Sequence, residues 1–482
     1  MRKLILVLLP CILILACKSE PKQNEQTEDV MEVKNEPIAS ITADMMENAI
    51  IYEANIRQYS PEGSFNAFTK DIPELKKLGV KIIWVMPIFP ISEIKRKATG
   101  DKFASDIEDP EERKKYLGSY YAVSDYRNIN PEFGTIEDFR KLVKTAHDNG
   151  IYVILDWVPN HTGWDHTWIK TNPEFYTKNE NGEITDPINK NTGESWGWTD
   201  TADLNYGNGD MRQAMINDMM HWLTEEGIDG FRCDVAAEVP TDFWERAIPE
   251  LRAKKNIFML AEAWEPELLN GDLFDMAYGW DRHHTMNHIA KGESKVKEWD
   301  DQMEKDARRY NDNDILMTFV TNHDENSWNG SVKERMGEAG EVFTALSYLA
   351  PGMPLIYSGQ EYGMNHRLKF FEKDSIPKTK GKMWTVLERL GKLKSISPAL
   401  HGGKNAASYK RIQCDNDNVL QFERNKNGVT LTFLANLSAK DQSFSNTLDG
   451  KFLNYMTDLR EGYHKNSPKI DLKPWEYKIL IH

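Results

Sequence analysis

The sequence predicts an α/β protein: a closed barrel of eight parallel strands, a small domain inserted after the third strand, and an antiparallel β domain at the C-terminus. Three observations predict it. From Ala49 onward, short β-rich runs alternate with stretches of helical periodicity, the pattern of a parallel sheet covered by crossover helices. Eight such runs can be counted, which is the strand number of a (β/α)8, or TIM, barrel. The alternation then breaks in two places, after the third run and beyond Ser397.

The strand runs are Ile50 to Arg57, Lys81 to Met86, Tyr152 to Trp157, Asp229 to Asp234, Ile257 to Glu262, Leu273 to Ala277, Ile315 to Val320 and Pro354 to Ser358. Helical spacing of apolar residues marks Phe65 to Leu78, Ile136 to Asn149, Met211 to Glu226, Phe243 to Lys254 and Lys295 to Tyr310. Gly79, Gly150 and Gly227 follow three of these as C-terminal caps. Residues 162–202 are polar and aperiodic, too long for a plain connection, and read as an inserted domain. The barrel then takes 45–161 and 203–396. In 397–482, short alternating runs such as Val419 to Glu423, Val429 to Ala435 and Lys478 to Ile481 predict antiparallel strands.

The first residues read as an export signal. Arg2 and Lys3 precede an apolar run, Leu4 to Ala16, too short to span a bilayer and ending in Ile14-Leu15-Ala16-Cys17. That ending resembles a bacterial lipobox. It implies a signal peptide over 1–16, a lipid on Cys17, and an exported protein held at the periplasmic or outer face of a membrane. The polar stretch that follows, to about residue 44, predicts a flexible tether. With Cys11 removed and Cys17 modified, Cys233 and Cys414 remain, and no metal-ligand spacing joins them. A net charge of -15 without a basic stripe excludes nucleic acid as a partner. It is neutral on sugars.

Acids fall at the ends of the predicted strands. Asp156 closes the third, Asp234 the fourth and Glu262 the fifth, and Asp324 follows the seventh. In a barrel those ends converge on one face. Converging carboxylates suit divalent metal or glycoside chemistry, and the latter needs one ionised and one protonated carboxyl across the scissile bond. Arg232 lies two residues before Asp234 and is expected to keep it ionised. Ala261, Ala263 and Trp264 flank Glu262, an apolar setting expected to keep it protonated.

The segments Asp156-Trp157-Val158-Pro159-Asn160-His161, Gly230-Phe231-Arg232-Cys233-Asp234, Ala261-Glu262-Ala263-Trp264 and Thr321-Asn322-His323-Asp324 occur in that order. Together they resemble the four signatures of the α-amylase family, glycoside hydrolase family 13, over about Ile50 to Gln360. The resemblance implies a retaining hydrolase of α-1,4-glucosidic bonds in starch, glycogen or maltooligosaccharides. In it Asp234 is the nucleophile, Glu262 the acid and base, and Asp324 a holder of sugar hydroxyls. It further implies that Arg232 positions Asp234, that His161 and His323 donate to the cleaved sugar, and that Asp156 is an acid of that subsite. Tyr121, in Gly118-Ser119-Tyr120-Tyr121, corresponds to the family's sugar-stacking tyrosine, with Tyr120 as the alternative. Arg367, after Gly359-Gln360-Glu361, aligns loosely with a cleft arginine.

Trp164, Trp168, Trp196 and Trp198 are either glucan platforms or the inserted domain's own core. Asn160 and Asp203 match calcium ligands of the family, so calcium is a candidate ion; no organic cofactor is implied. The sequence departs from the family at Ala237 and Glu238, where many members carry Lys and His, which leaves preferred chain length open. The barrel begins soon after the tether, without the extra N-terminal β domain of many cyclomaltodextrinases, which favours a monomer. A transglycosylase, or an α-1,6- or disaccharide-specific relative, shares the same triad. A non-catalytic glucan-binding lipoprotein is the reading from another class; the three acids of the triad are all present against it.

Overall fold

The computed structural model describes residues 38–482 apart from 101, 191 and 465–468. The predicted signal peptide, Cys17 and most of the tether lie outside the described residues. The tether's last residues belong to the folded body. Ile41 is buried, Thr42 caps a helix over Ala43–Glu47, and the Tyr152 hydroxyl donates to the carbonyl of Ala39.

Eight parallel strands close into a barrel in sequence order: Ile51–Ala54, Ile82–Val85, Tyr152–Trp157, Gly230–Cys233, Phe258–Ala261, Met276–Tyr278, Ile315–Thr318 and Met353–Tyr357. Side chains alternate between the two faces of each strand. Ile82, Trp84, Tyr152, Ile154, Phe258, Leu260, Met317 and Leu355 fill the barrel interior. Ile83, Val85, Val153, Leu155, Phe231 and Met259 face the helices and share the outer core with them. Burying each such side chain contributes about 1.5–3 kcal/mol, which is why every barrel strand is buried from end to end. Gly230 opens the fourth strand at φ 148°, where a Cβ would stand 1.9 Å from the carbonyl oxygen of Phe258. Only glycine fits there.

The helix over Ile136–Asp148 shows how the sequence builds the outer ring. Thr135 and Asp138 form a reciprocal capping box, and Phe139, Leu142, Val143 and Ala146 are the buried face. Gly150, at φ 73°, ends it in the left-handed conformation. After the third strand, His161–Gly163 and Thr201–Asp203 pair antiparallel at the root of the inserted segment. Beyond the barrel, six antiparallel strands form one sheet, with Val419–Lys426, Val429–Asn436 and Tyr477–Ile481 adjacent at its centre. Asn427-Gly428 turns the first two of these, both residues at positive φ.

Three elements differ from expectation. The first strand stops at Ala54, because the Asn55 side chain accepts from the N–H of Gln58 and starts a helical turn, Ile56–Tyr59. The predicted helix from Phe65 is two helices, Phe65–Thr69 and Ile72–Lys77, the second carrying Pro73 in its first turn. The sixth strand is Met276–Tyr278; Leu273 and Phe274 are buried, but as the end of an irregular helical turn.

Candidate active site

The barrel's inward face continues from hydrophobic layers into charge at the C-terminal ends of the strands. Asp156 follows Tyr152 and Ile154 on the inward side of the third strand and pairs in register with Arg232 on the fourth. Arg232 is completely buried. Its Nη1 donates to Asp156 Oδ1 at 2.8 Å and to Asp234 Oδ1 at 3.0 Å, and its Nε to the Tyr278 hydroxyl at 3.2 Å. Nη2 lies 2.9 Å from Glu262 Oε2, within ion-pair range although not aligned for a hydrogen bond. One guanidinium therefore gathers three of the predicted acids.

Val235, directly after Asp234, adopts the left-handed conformation (φ 36°, ψ 49°). For a β-branched residue this stores about 1–3 kcal/mol of strain. The turn aims the Val235 N–H at Glu262 Oε2, 2.7 Å away. The surroundings of Glu262 thus differ from the apolar pocket expected from its neighbours: Ala261 is buried outward among the helices, and Trp264 is 45% exposed. The carboxylate instead meets a guanidinium and a backbone donor.

Asp324 sits just past the seventh strand, with His323 Nε2 3.3 Å from its Oδ2. On its other side the His323 ring meets Glu53, Nδ1 to Oε1 at 2.5 Å. Glu53 is completely buried in the first strand and was not singled out from the sequence. A carboxylate inside the run Ile51-Tyr52-Glu53-Ala54 is the same signal that marked Asp156 and Asp234. Burial lowers the basicity of His323, but Asp324 and Glu53 outweigh it and carry the imidazole up to about 9. It is a cation at neutral pH. His161 has no such partners, and burial pulls it down to about 3, leaving it neutral.

Five carboxyls and two cations share this mouth. Burial, then the charge of Glu262, push Asp234 well above the ordinary aspartate range against the pull of Arg232. Burial also raises Asp156, Glu53 and Asp324. Arg232 pulls Asp234 toward the ionised form, as expected from the sequence, but its charge is divided among three acids. The carboxyls of this cluster therefore titrate together rather than singly.

The cleft above has a volume of about 380 Å³, within the range of small-molecule sites. Tyr121, His161, Asp234, Glu262, His323 and Asp324 line it. The Tyr121 hydroxyl meets Asp156 Oδ2 at 3.0 Å and His323 Nε2 at 2.8 Å. Tyr120 points into the core beneath Arg57, 4.0 Å from its ring, and donates to Asn55. Asp156 and Arg232, named among the substrate-site residues, are completely buried and do not line the cleft; they reach it only through the side chains they hold. Arg367 is at the surface, paired with Glu334 at 3.2 Å, and does not line the cleft.

Aromatic walls flank the acids. On one side Phe370 stacks on Tyr121 (6.4 Å, 11°) and touches Trp328, which is half exposed on a π-helical turn, Glu325–Asn329. On the other, Trp198 lines the cleft beside His161 and stacks with Trp196. Trp168 packs with Tyr126, His166 and Phe175 as core. The Trp164 indole N–H is bonded to the carbonyl of Thr199 under the ammonium of Lys95. The four tryptophans divide between platform and core.

Asn160 and Asp203 are brought together across the root of the inserted segment, where the Leu204 N–H donates to the Asn160 carbonyl. Calcium takes 6–8 oxygens at such a place. Among the described residues no group of three or more His, Cys, Asp or Glu is placed for a metal. Burial carries Asp203 up to about 6, with the charges of Asp186 and Glu238 adding to the rise and that of the exposed Lys190 opposing it.

Carboxylates are thus crowded on one guanidinium beneath aromatic walls. The chain belongs to the alpha-amylase family of glycoside hydrolases: residues 42–391 match the alpha amylase catalytic domain. It is 26% identical over 351 residues to Alpha-amylase 3 of Dictyoglomus thermophilum, a match that covers 66% of this chain and 64% of that enzyme. It is 28% identical over 336 residues to a 4-alpha-glucanotransferase of Thermotoga neapolitana, covering 63% of this chain and 68% of the relative. The solved alpha-amylase of Lactobacillus plantarum superposes with a TM-score of 0.78 at 28% identity, over 92% of this chain and 100% of that one.

Proposed function

We propose that the protein hydrolyses α-1,4-glucosidic bonds of starch-like glucans with retention of configuration. One observation carries this: a single buried guanidinium holds both Asp234 and Glu262. Two carboxyls on one guanidinium favour the short spacing of a retaining pair, about 5 Å, over the wider inverting one, which leaves room for a water.

The chemistry follows. An Asp234 oxygen attacks the anomeric carbon as the bond to the leaving sugar breaks, and Glu262 gives its proton to the departing oxygen. Water then opens the glycosyl–aspartate ester, passing a proton to Glu262 and freeing Asp234. Two inversions leave the α-anomer. The cationic His323 and Asp324 hold hydroxyls of the distorted sugar with charge-assisted bonds, neutral His161 offers a further contact, and the Tyr121 ring meets the sugar's apolar face. Asp156, Glu53 and Arg232 position these groups from below. No step calls on a metal.

A second reading, transfer to a sugar acceptor, draws on the likeness to the glucanotransferase and differs only in what opens the ester. Export and anchoring through Cys17, and action as a monomer, are part of the proposal; a Cys17→Ala chain released from the membrane fraction tests the anchor. For the reaction, the protein is incubated with amylose, pullulan, cyclodextrin and maltose. Cleavage of amylose that falls at least about a thousandfold in Asp234→Asn supports the assignment. A folded wild-type protein that cleaves none of the four overturns it.

A further inference from the structure

Two charged side chains in the cleft have no part in the chemistry above. Lys97 comes from the long loop after the second strand and is 9% exposed; Asp200 comes from the inserted segment and is 6% exposed. Both line the same cleft as Asp234, Glu262 and Asp324. Neither side chain has a hydrogen bond or ion pair to another side chain among the described residues. The Lys97 ammonium lies over the Phe103 ring at 5.6 Å, and the Asp200 carboxylate turns to its own backbone N–H with the Lys97 charge at longer range.

Buried charge without a partner is costly, and here the backbones are fixed in ways that maintain it. Lys97 and Phe103 are bridged antiparallel, with Ala98 N–H donating to the Lys102 carbonyl and Ala104 N–H to that of Arg96. On the other side, Thr201 N–H donates to the Trp198 carbonyl immediately before the strand Thr201–Asp203. The cleft is the space both residues line. A donor-only ammonium and an acceptor-only carboxylate lining one cleft complement sugar hydroxyls, which accept from one and donate to the other.

We propose that Lys97 and Asp200 form a sugar subsite apart from the bond-breaking carboxylates, gripping hydroxyls of a glucosyl unit further along the chain. The pair sets the preferred glucan length. This rests on the glycosidase reading, and the experiment separates the two. Lys97→Met, Asp200→Asn and the double variant are assayed on maltotriose and maltoheptaose, with Lys97→Arg to test rescue. The ratio of kcat/KM for maltoheptaose to that for maltotriose is expected to fall about tenfold in each single variant, through KM, as for loss of one charge-assisted bond. Losses short of additive in the double variant show one shared hydroxyl. An unchanged ratio, whether both substrates suffer equally or neither does, overturns the subsite, since a loop-stabilising pair changes both alike. If the wild-type protein cleaves neither substrate, the function reading fails by itself. Calorimetric titration with maltoheptaose then decides the subsite: tenfold weaker binding by the variants supports it, and equal binding overturns it.

Discussion

Arg232 and Arg424 are both completely buried, and they are buried in opposite ways. Arg424, on the central sheet of the C-terminal region, donates to the carbonyls of Ser408, Leu349, His401 and Ala407. It fastens that sheet to the end of the barrel helix Gly340–Leu349, and with no carboxylate paired to it among the described residues, burial lowers it to about 10. Arg232 suffers the same burial, but Asp156 and Glu262 outweigh it and push the guanidinium well above its usual range. Neutral partners make a buried cation a fastener. Ionisable partners make it the keel of a site whose protons can move.

Replacing each arginine with methionine sharpens the contrast. Arg232→Met is expected to lower kcat on maltoheptaose by about a thousandfold or more, because Asp234 and Glu262 lose their common anchor. Its thermal stability falls further as pH rises from 5 to 8: without the cation the folded site binds more protons than the unfolded chain, and ionisation then works against folding. Arg424→Met strands buried carbonyls and costs about 3–5 kcal/mol, measured by denaturant unfolding. That loss is the same across this pH range, and kcat stays within about twofold, the two sites being independent. A pH-dependent loss in Arg424→Met, or a flat one in Arg232→Met, breaks the comparison.

A smaller effect is expected at Glu53→Gln. His323 is held protonated in the fold, so its contribution is complete below about 6.5, the unfolded value, and is lost as pH rises through about 9. Removing one of its two carboxylates moves the alkaline limb of kcat/KM down by about one pH unit. A limb that does not move assigns it to another group. The smallest effect is at the junction of Asn160 and Asp203, where no group of three metal-ligating acids, histidines or cysteines is placed among the described residues. Chelator is expected to leave Tm unchanged, where a bound calcium would make Tm depend on its concentration.

What the sequence revealed and what it hid divide along the same physical line. The third strand was legible to the residue, because its six buried positions, Tyr152–Trp157, read as one apolar run interrupted only by Asp156 near its end. Asp234, Glu262 and Asp324 were legible because charge at the end of such a run is expensive without a task. Glu53 carries that signal too, and was hidden by a predicted strand that ran past Asn55 and placed the acid mid-strand. The environments were less legible than the residues. Alternation along the strand says that Ala261 and Ala263 face away from Glu262, and only the packed barrel shows Arg232 and the strained Val235 filling that space. Lys97, Asp200, Trp328 and Phe370 were beyond reach, since they meet only when four separate loops fold over the mouth. Arg367 showed the reverse error: a loose alignment set it in the cleft, whereas Glu334 holds it at the surface.

The central claim is that Asp234 and Glu262 work as a close, retaining pair. It is tested most directly by following the first minutes of maltoheptaose cleavage by proton NMR, before mutarotation scrambles the products. The account predicts that the new reducing ends appear as the α-anomer. Initial release of the β-anomer would contradict it, requiring a water between the two carboxylates and an inverting enzyme on this barrel.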